Sequence, residues 1–122
     1  MKKKLLIVLA TADPAVPEEV AAPIFQATVA AARNQPAELL LTGRTGRLAI
    51  KGQAESFRLP GDDERTLYDI IRAAHEAGVI IKVCTPTLKQ WGNELIAEID
   101  ETVGSSYLVD EVLDKHTVSL TY

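Results

Sequence analysis

Apolar residues fall into three nearly continuous runs, over positions 4 to 9, 38 to 41 and 79 to 83. Runs without alternation suit strands covered on both faces, the pattern of a parallel sheet flanked by helices. The last segment, 116 to 122, is different: Val118, Leu120 and Tyr122 alternate with Thr117, Ser119 and Thr121. Such alternation predicts a half-exposed edge strand.

Helical patterns separate the runs. Pro17, Glu18 and Glu19 open a helix that continues through Ile24, Thr28 and Ala32 to Arg33; proline is tolerated in a first turn and acids complement the helix dipole there. Pro23 either kinks this helix or marks its true start. Asp62, Asp63 and Glu64 precede a clearer helix, with Leu67, Ile70, Ile71 and Ala74 at i, i+3, i+4 and i+7 and Gly78 at its end. A third runs from about Pro86 toward Trp91. A fourth, over 105 to 113, carries Leu108, Val109, Val112 and Leu113 on one stripe. Positions 94 to 103 read as a turn or a short helix.

The predicted order is therefore β-α-β-α-β-α-α-β. It implies an α/β fold: a mostly parallel sheet of four to five strands with helices on both faces, Rossmann-like in three layers. The longest connection, 44 to 65, has room for a short extra element around 47 to 50. No internal repeat or low-complexity tract interrupts the chain.

Length and composition narrow the function classes. The 122 residues fit one domain, 1 to 122, and 47% hydrophobic with 25% charged residues is a globular balance. A net charge of -4 and a pI near 5.1 give no electrostatic reason to expect nucleic acid as a partner. The basic clusters are small: Lys2 to Lys4, and Arg44 with Arg47. The start, Met1-Lys2-Lys3-Lys4 before a short apolar run, copies a secretory signal superficially, but the first strand of an α/β domain looks the same and is preferred. No stretch approaches membrane-spanning length, so no membrane partner is expected. A lone cysteine forbids an internal disulfide and suits a reducing cytoplasm.

In an open parallel sheet, ligands bind outside the carboxyl ends of the strands. The loops expected on that rim are 11 to 14, 42 to 47 and 84 to 87. Cys84 ends its strand where Thr85, Pro86 and Thr87 begin a helix; a thiol so placed faces unpaired N–H groups, which favour the thiolate. The other reading is a small apolar residue finishing a strand. Thr42, Gly43, Arg44 and Arg47 read either as an anion cradle or as a turn with solvated arginines. No Walker A ending and no G-x-G-x-x-G follows the first strand. Asp13 reads first as a helix cap. Trp91 reads as core or interface, or as a wall beside the thiol. His75 and His116 lack ligand spacing, so no metal is expected, and no nucleophile elbow is present.

Taken together, the N-terminal Lys-Lys-Leu-Leu-Ile-Val-Leu, Asp13-Pro14, Thr42-Gly43, the Val-Cys-Thr-Pro-Thr of 83 to 87 and Val103-Gly104 before the last helix resemble the DsrE/DsrF-like family over nearly the whole chain. The resemblance implies a YchN-like fold assembled as a homotrimer or homohexamer. It also implies a sulfur carrier or sulfurtransferase in a sulfur-relay or sulfur-oxidation pathway, without a cofactor. Cys84 would hold a persulfide and exchange it with a TusA-like or other persulfide-carrying protein. Some relatives have an adjacent second cysteine; its absence here argues against a two-thiol mechanism. Two other readings stand beside this one. One is a non-catalytic module binding a small anion, such as a nucleotide or phosphorylated metabolite, on Asp13, Thr42, Gly43, Arg44, Arg47, Thr85, Thr87 and Trp91. The other is a structural subunit of a sulfur-handling complex.

Overall fold

A computed structural model describes residues 2–122, with the side chain of Asp63 left aside; Met1, the first residue of the signal-like start, lies outside them. Five parallel strands form the sheet in the order β6-β5-β2-β1-β7. They are β1 (Lys4–Leu9), β2 (Ala37–Leu41), β5 (Ile80–Cys84), β6 (Glu101–Val103) and β7 (Thr117–Thr121). A separate antiparallel hairpin pairs β3 (Arg58–Leu59) with β4 (Asp62–Thr66). The fold is thus α/β and three-layered, as the apolar runs predict.

Side-chain alternation assigns the two layers. Ile7 and Leu9 of β1, Leu39 and Leu41 of β2 and Ile81 and Val83 of β5 join one large core. Helices α1 (Pro17–Ala32) and α2 (Leu67–Ala77) cover it through Val20, Ile24, Ile70, Ile71 and Ala74. Burying a side chain of this kind contributes roughly 1.5–3 kcal/mol, so this layer carries most of the cohesion. The opposite face buries a smaller cluster, Leu6, Val8, Leu40 and Val103. Helix α4 (Ser105–Leu113) lies over it through Tyr107 and Leu108, and no α4 residue is fully buried.

One expectation is corrected by this architecture and two others are made definite. Helix α1 starts at Pro17, as its first-turn pattern predicts, and continues past Pro23. The stretch left between turn and short helix contains β6, too short and too acidic to register as an apolar run. The long connection does hold a short element where one is expected, a 3-10 helix over Gly43–Ala49, together with another over Ala54–Ser56 and the hairpin. These are short or polar elements whose periodicity does not exceed that of a loop.

Candidate functional site

The carboxyl ends of β1, β2 and β5 are adjacent, so the three loops expected to share a rim do meet. The Thr42 N–H donates to Leu9 O at 3.2 Å and the Thr45 hydroxyl donates to the same oxygen at 2.8 Å. Gly43 adopts a φ of +59°, and a Cβ there would stand 2.5 Å from the Ala10 carbonyl oxygen. Only glycine allows this approach of the two loops.

Cys84 closes β5 and is the N-cap residue of α3 (Thr85–Trp91). Its register partner is Val103, and it packs beside the small cluster that Tyr107 and Leu108 of α4 also touch. The residue is half-buried and keeps part of its surface open to solvent. Two residues past Val103 the chain enters α4, so two helices begin beside the cysteine. Unpaired N–H groups at helix starts favour anions. Thr85 Oγ1 donates to Val103 O at 3.0 Å and ties the strand ends together.

The remaining rim residues divide. Asp13 does not cap α1, whose N-cap is Val16. Its carboxylate instead accepts from the Ala15 N–H at 3.0 Å, an Asx turn, and pairs with Arg44 at 3.3 Å. Arg44 is 67% exposed, and a pair this open contributes about 0–1 kcal/mol. Arg47 is engaged elsewhere: its guanidinium lies 4.9 Å from the Phe57 ring centroid and 5.1 Å from that of Trp91. Its Nη2 also donates to Gln53 Oε1 at 2.9 Å. Trp91, the last residue of α3, thus lies against the Arg47 guanidinium. Thr87 is buried against Gly46 of the first 3-10 helix. A groove of about 360 Å³ opens at the β1–β7 end of the rim, lined by Thr11, Glu18, Glu19, Gln26 and Tyr122 among others; Cys84 is not in it.

Sequence reasoning passed over a charged cluster under α4. Lys82 shares the face of Cys84, two residues before it, and its Nζ lies 3.3 Å from Glu38 Oε1 and 4.2 Å from the Tyr107 ring centroid. Lys4 reaches the same Glu38 oxygen at 3.2 Å and Glu111 of α4 at 2.7 Å. The Tyr107 hydroxyl donates to the other Glu38 oxygen. Burial alone would lower the Lys4 pKa, but hydrogen bonds and charge from Glu111 and Glu38 hold it above its ordinary value. The signal was present: Glu38 and Lys82 are the ionisable residues inside otherwise apolar strands, where charge persists only if paired.

The fold and rim define a YchN-like three-layer α/β architecture with one thiol at the carboxyl end of the sheet. A solved structure that shares it is the YchN protein from E. coli, which superimposes with a TM-score of 0.76 over 100% of both chains at 18% identity. At that identity the likeness shows the fold. No family model matches the chain, and no curated protein matches it. No helix among the described residues is long and apolar enough to cross a membrane.

Proposed function

We propose that this protein is a cytoplasmic sulfur carrier of the DsrE/DsrF-like kind, loaded as a persulfide on Cys84. The supporting observation is the position of the chain's one cysteine: half-open at the end of β5, between the starts of α3 and α4, in a YchN-like fold. The Cys84 thiolate attacks the outer sulfur of a partner persulfide, R–S–SH. A bond forms from Sγ to that sulfur, the partner's S–S bond breaks, and the partner leaves as R–S⁻ with both electrons of that bond. The proton stays on the transferred sulfur, and delivery to the next thiol repeats the step. A TusA-like donor and a homotrimeric or homohexameric state belong to the same proposal.

Intact-mass spectrometry after incubation with inorganic polysulfide tests it. The expected result is a gain of one sulfur, removed by reductant and absent from Cys84→Ser. An unchanged mass of the native protein overturns the reading. The anion-binding alternative has less support, because Arg44 and Arg47 are already engaged and two glutamates line the rim groove.

A further inference from the structure

The two edges of the sheet end differently. β6 is three residues long and opens on Glu101, short and charged in the way that guards an edge against pairing. β7, at the other end, runs for five residues with no charge, proline or bulge among Thr117, Val118, Ser119, Leu120 and Thr121. The Lys4 N–H donates to His116 O and the Tyr122 N–H to Val8 O, both at 2.8 Å, so His116, Val118, Leu120 and Tyr122 turn their backbone groups toward β1. Thr117, Ser119 and Thr121 therefore turn theirs outward. The Thr117 N–H is taken by Asp114 O at 3.1 Å. Among the described residues nothing meets the outward N–H and C=O of Ser119 and Thr121. Val118 and Leu120 lie opposite Leu5 and Ile7 on the α1 side of the sheet, yet they are 43% and 40% exposed.

We infer that β7 is a self-pairing edge: two copies of the chain join antiparallel through it about a two-fold axis at Ser119, continuing one sheet into the next. The strand is its own complement, because read in either direction it is Thr, apolar, Ser, apolar, Thr. With the axis at Ser119, Thr117 faces Thr121 of the second copy, and each outward-turned residue meets another. Ser119 exchanges both backbone hydrogen bonds with its own image, and the Thr121 N–H meets the Thr117 carbonyl. Val118 falls opposite Leu120 in a non-hydrogen-bonded pair, the arrangement that brings side chains closest. Shifting the pairing by one residue sets inward groups against outward ones, and shifting it by two shortens the ladder. Asp114 and Lys115 precede the strand with opposite signs, so no like-charge block stands at its ends. Because the β6 edge is guarded, association closes at one two-fold contact instead of running into a fibre. β2 and β1 separate β7 from the strand that carries Cys84, so the contact leaves the thiol clear. The inference does not rest on the thiol chemistry. Of the two assemblies named with the carrier reading, it selects a homohexamer of two facing trimers, which contains two-fold axes, over the homotrimer, which does not.

Sedimentation velocity on edge variants tests this. Ser119→Pro deletes an outward N–H and spares the ladder to β1. It is expected to halve the mass of the native assembly with far-UV circular dichroism unaltered, whereas Ser119→Ala leaves the assembly whole. In a Cys84→Ser background, Ser119→Cys is expected to give a covalent dimer on oxidation with diamide, because the axis sets the two Cα atoms about 5.5 Å apart, within disulfide reach. Thr117→Cys, whose image lies roughly 13 Å away along the strand, is expected not to. The cross-link decides the matter even if the proline variant fails to fold. Native protein that is monomeric or trimeric at every concentration, an assembly unaltered in a folded Ser119→Pro, or equal cross-linking at positions 117 and 119 overturns the proposal. A homohexamer that Ser119→Pro splits into trimers supports it. Polysulfide loading at Cys84 is read separately: its failure removes the carrier reading and leaves edge pairing standing.

Discussion

Gly46 shows how little room the rim leaves. A Cβ at this position would stand 1.7 Å from Thr87 Cγ2 and 2.7 Å from Thr87 Cβ, so the first 3-10 helix touches α3 with no atom to spare. Gly46→Ala is expected to cost about 1–3 kcal/mol in urea denaturation, and Thr87→Ser in the same chain to recover part of it. No recovery would mean that the strain lies elsewhere. Tyr68 offers a second residue-scale test. Its hydroxyl donates to Glu98 at 2.9 Å, and that hydrogen bond, then burial and the carboxylate's charge, hold the phenol above its ordinary value. A group raised in the folded state contributes stability that is complete below its unfolded value and is lost as pH rises through the folded one. Lys4 shifts in the same direction. Stability should therefore decline from roughly pH 10 upward, and Tyr68→Phe should flatten part of that decline in pH-dependent unfolding curves.

At the scale of elements, α4 is attached by polar ties rather than by burial. Tyr107 to Glu38, Glu111 to Lys4 and Glu111 to Thr117 link it to β2, β1 and β7. Glu38 is the hub. Removing its carboxylate leaves Lys82, 11% exposed at the side chain, without its nearest counter-charge. Glu38→Ala is expected to cost about 3 kcal/mol, a change read by chemical denaturation. Tyr107→Phe removes one tie while keeping the ring, and should loosen the helix over its neighbour: native-state alkylation of Cys84 by iodoacetamide is expected to quicken severalfold, with far-UV circular dichroism unaltered. An unchanged alkylation rate would show that α4 does not control access to the sulfur.

For the whole molecule, the sequence was most legible where burial is strongest. Three apolar runs became three adjacent strands, and the stripe from Leu67 to Ala74 became α2, because continuous burial leaves a continuous mark. What stayed illegible was decided by distant partners. β6 is a strand only because β5 supplies a ladder for Glu101, Thr102 and Val103. Arg47 looked like a rim cation until Phe57 and Trp91 folded around it. The position of Cys84 was readable from its strand and the following Pro86, but the α4 residues beside it come from beyond α3 and β6, outside any local pattern around the cysteine.

The pairing of β1 with β7 has a kinetic consequence. Lys4 lies opposite Thr117 and Val8 opposite Thr121, so an interior strand is completed only when β7, which follows every other strand of its sheet in the chain, has docked. Until then one hydrogen-bonding side of β1 stays unzipped, the state in which nascent sheets associate wrongly. Removing residues 117 to 122 should freeze the protein in that state and give light-scattering aggregates on release from denaturant, where the full chain refolds clear. The thiol sits two strands away from this seam, so a molecule whose β7 has not docked would already carry the Cys84 sulfur at the end of β5.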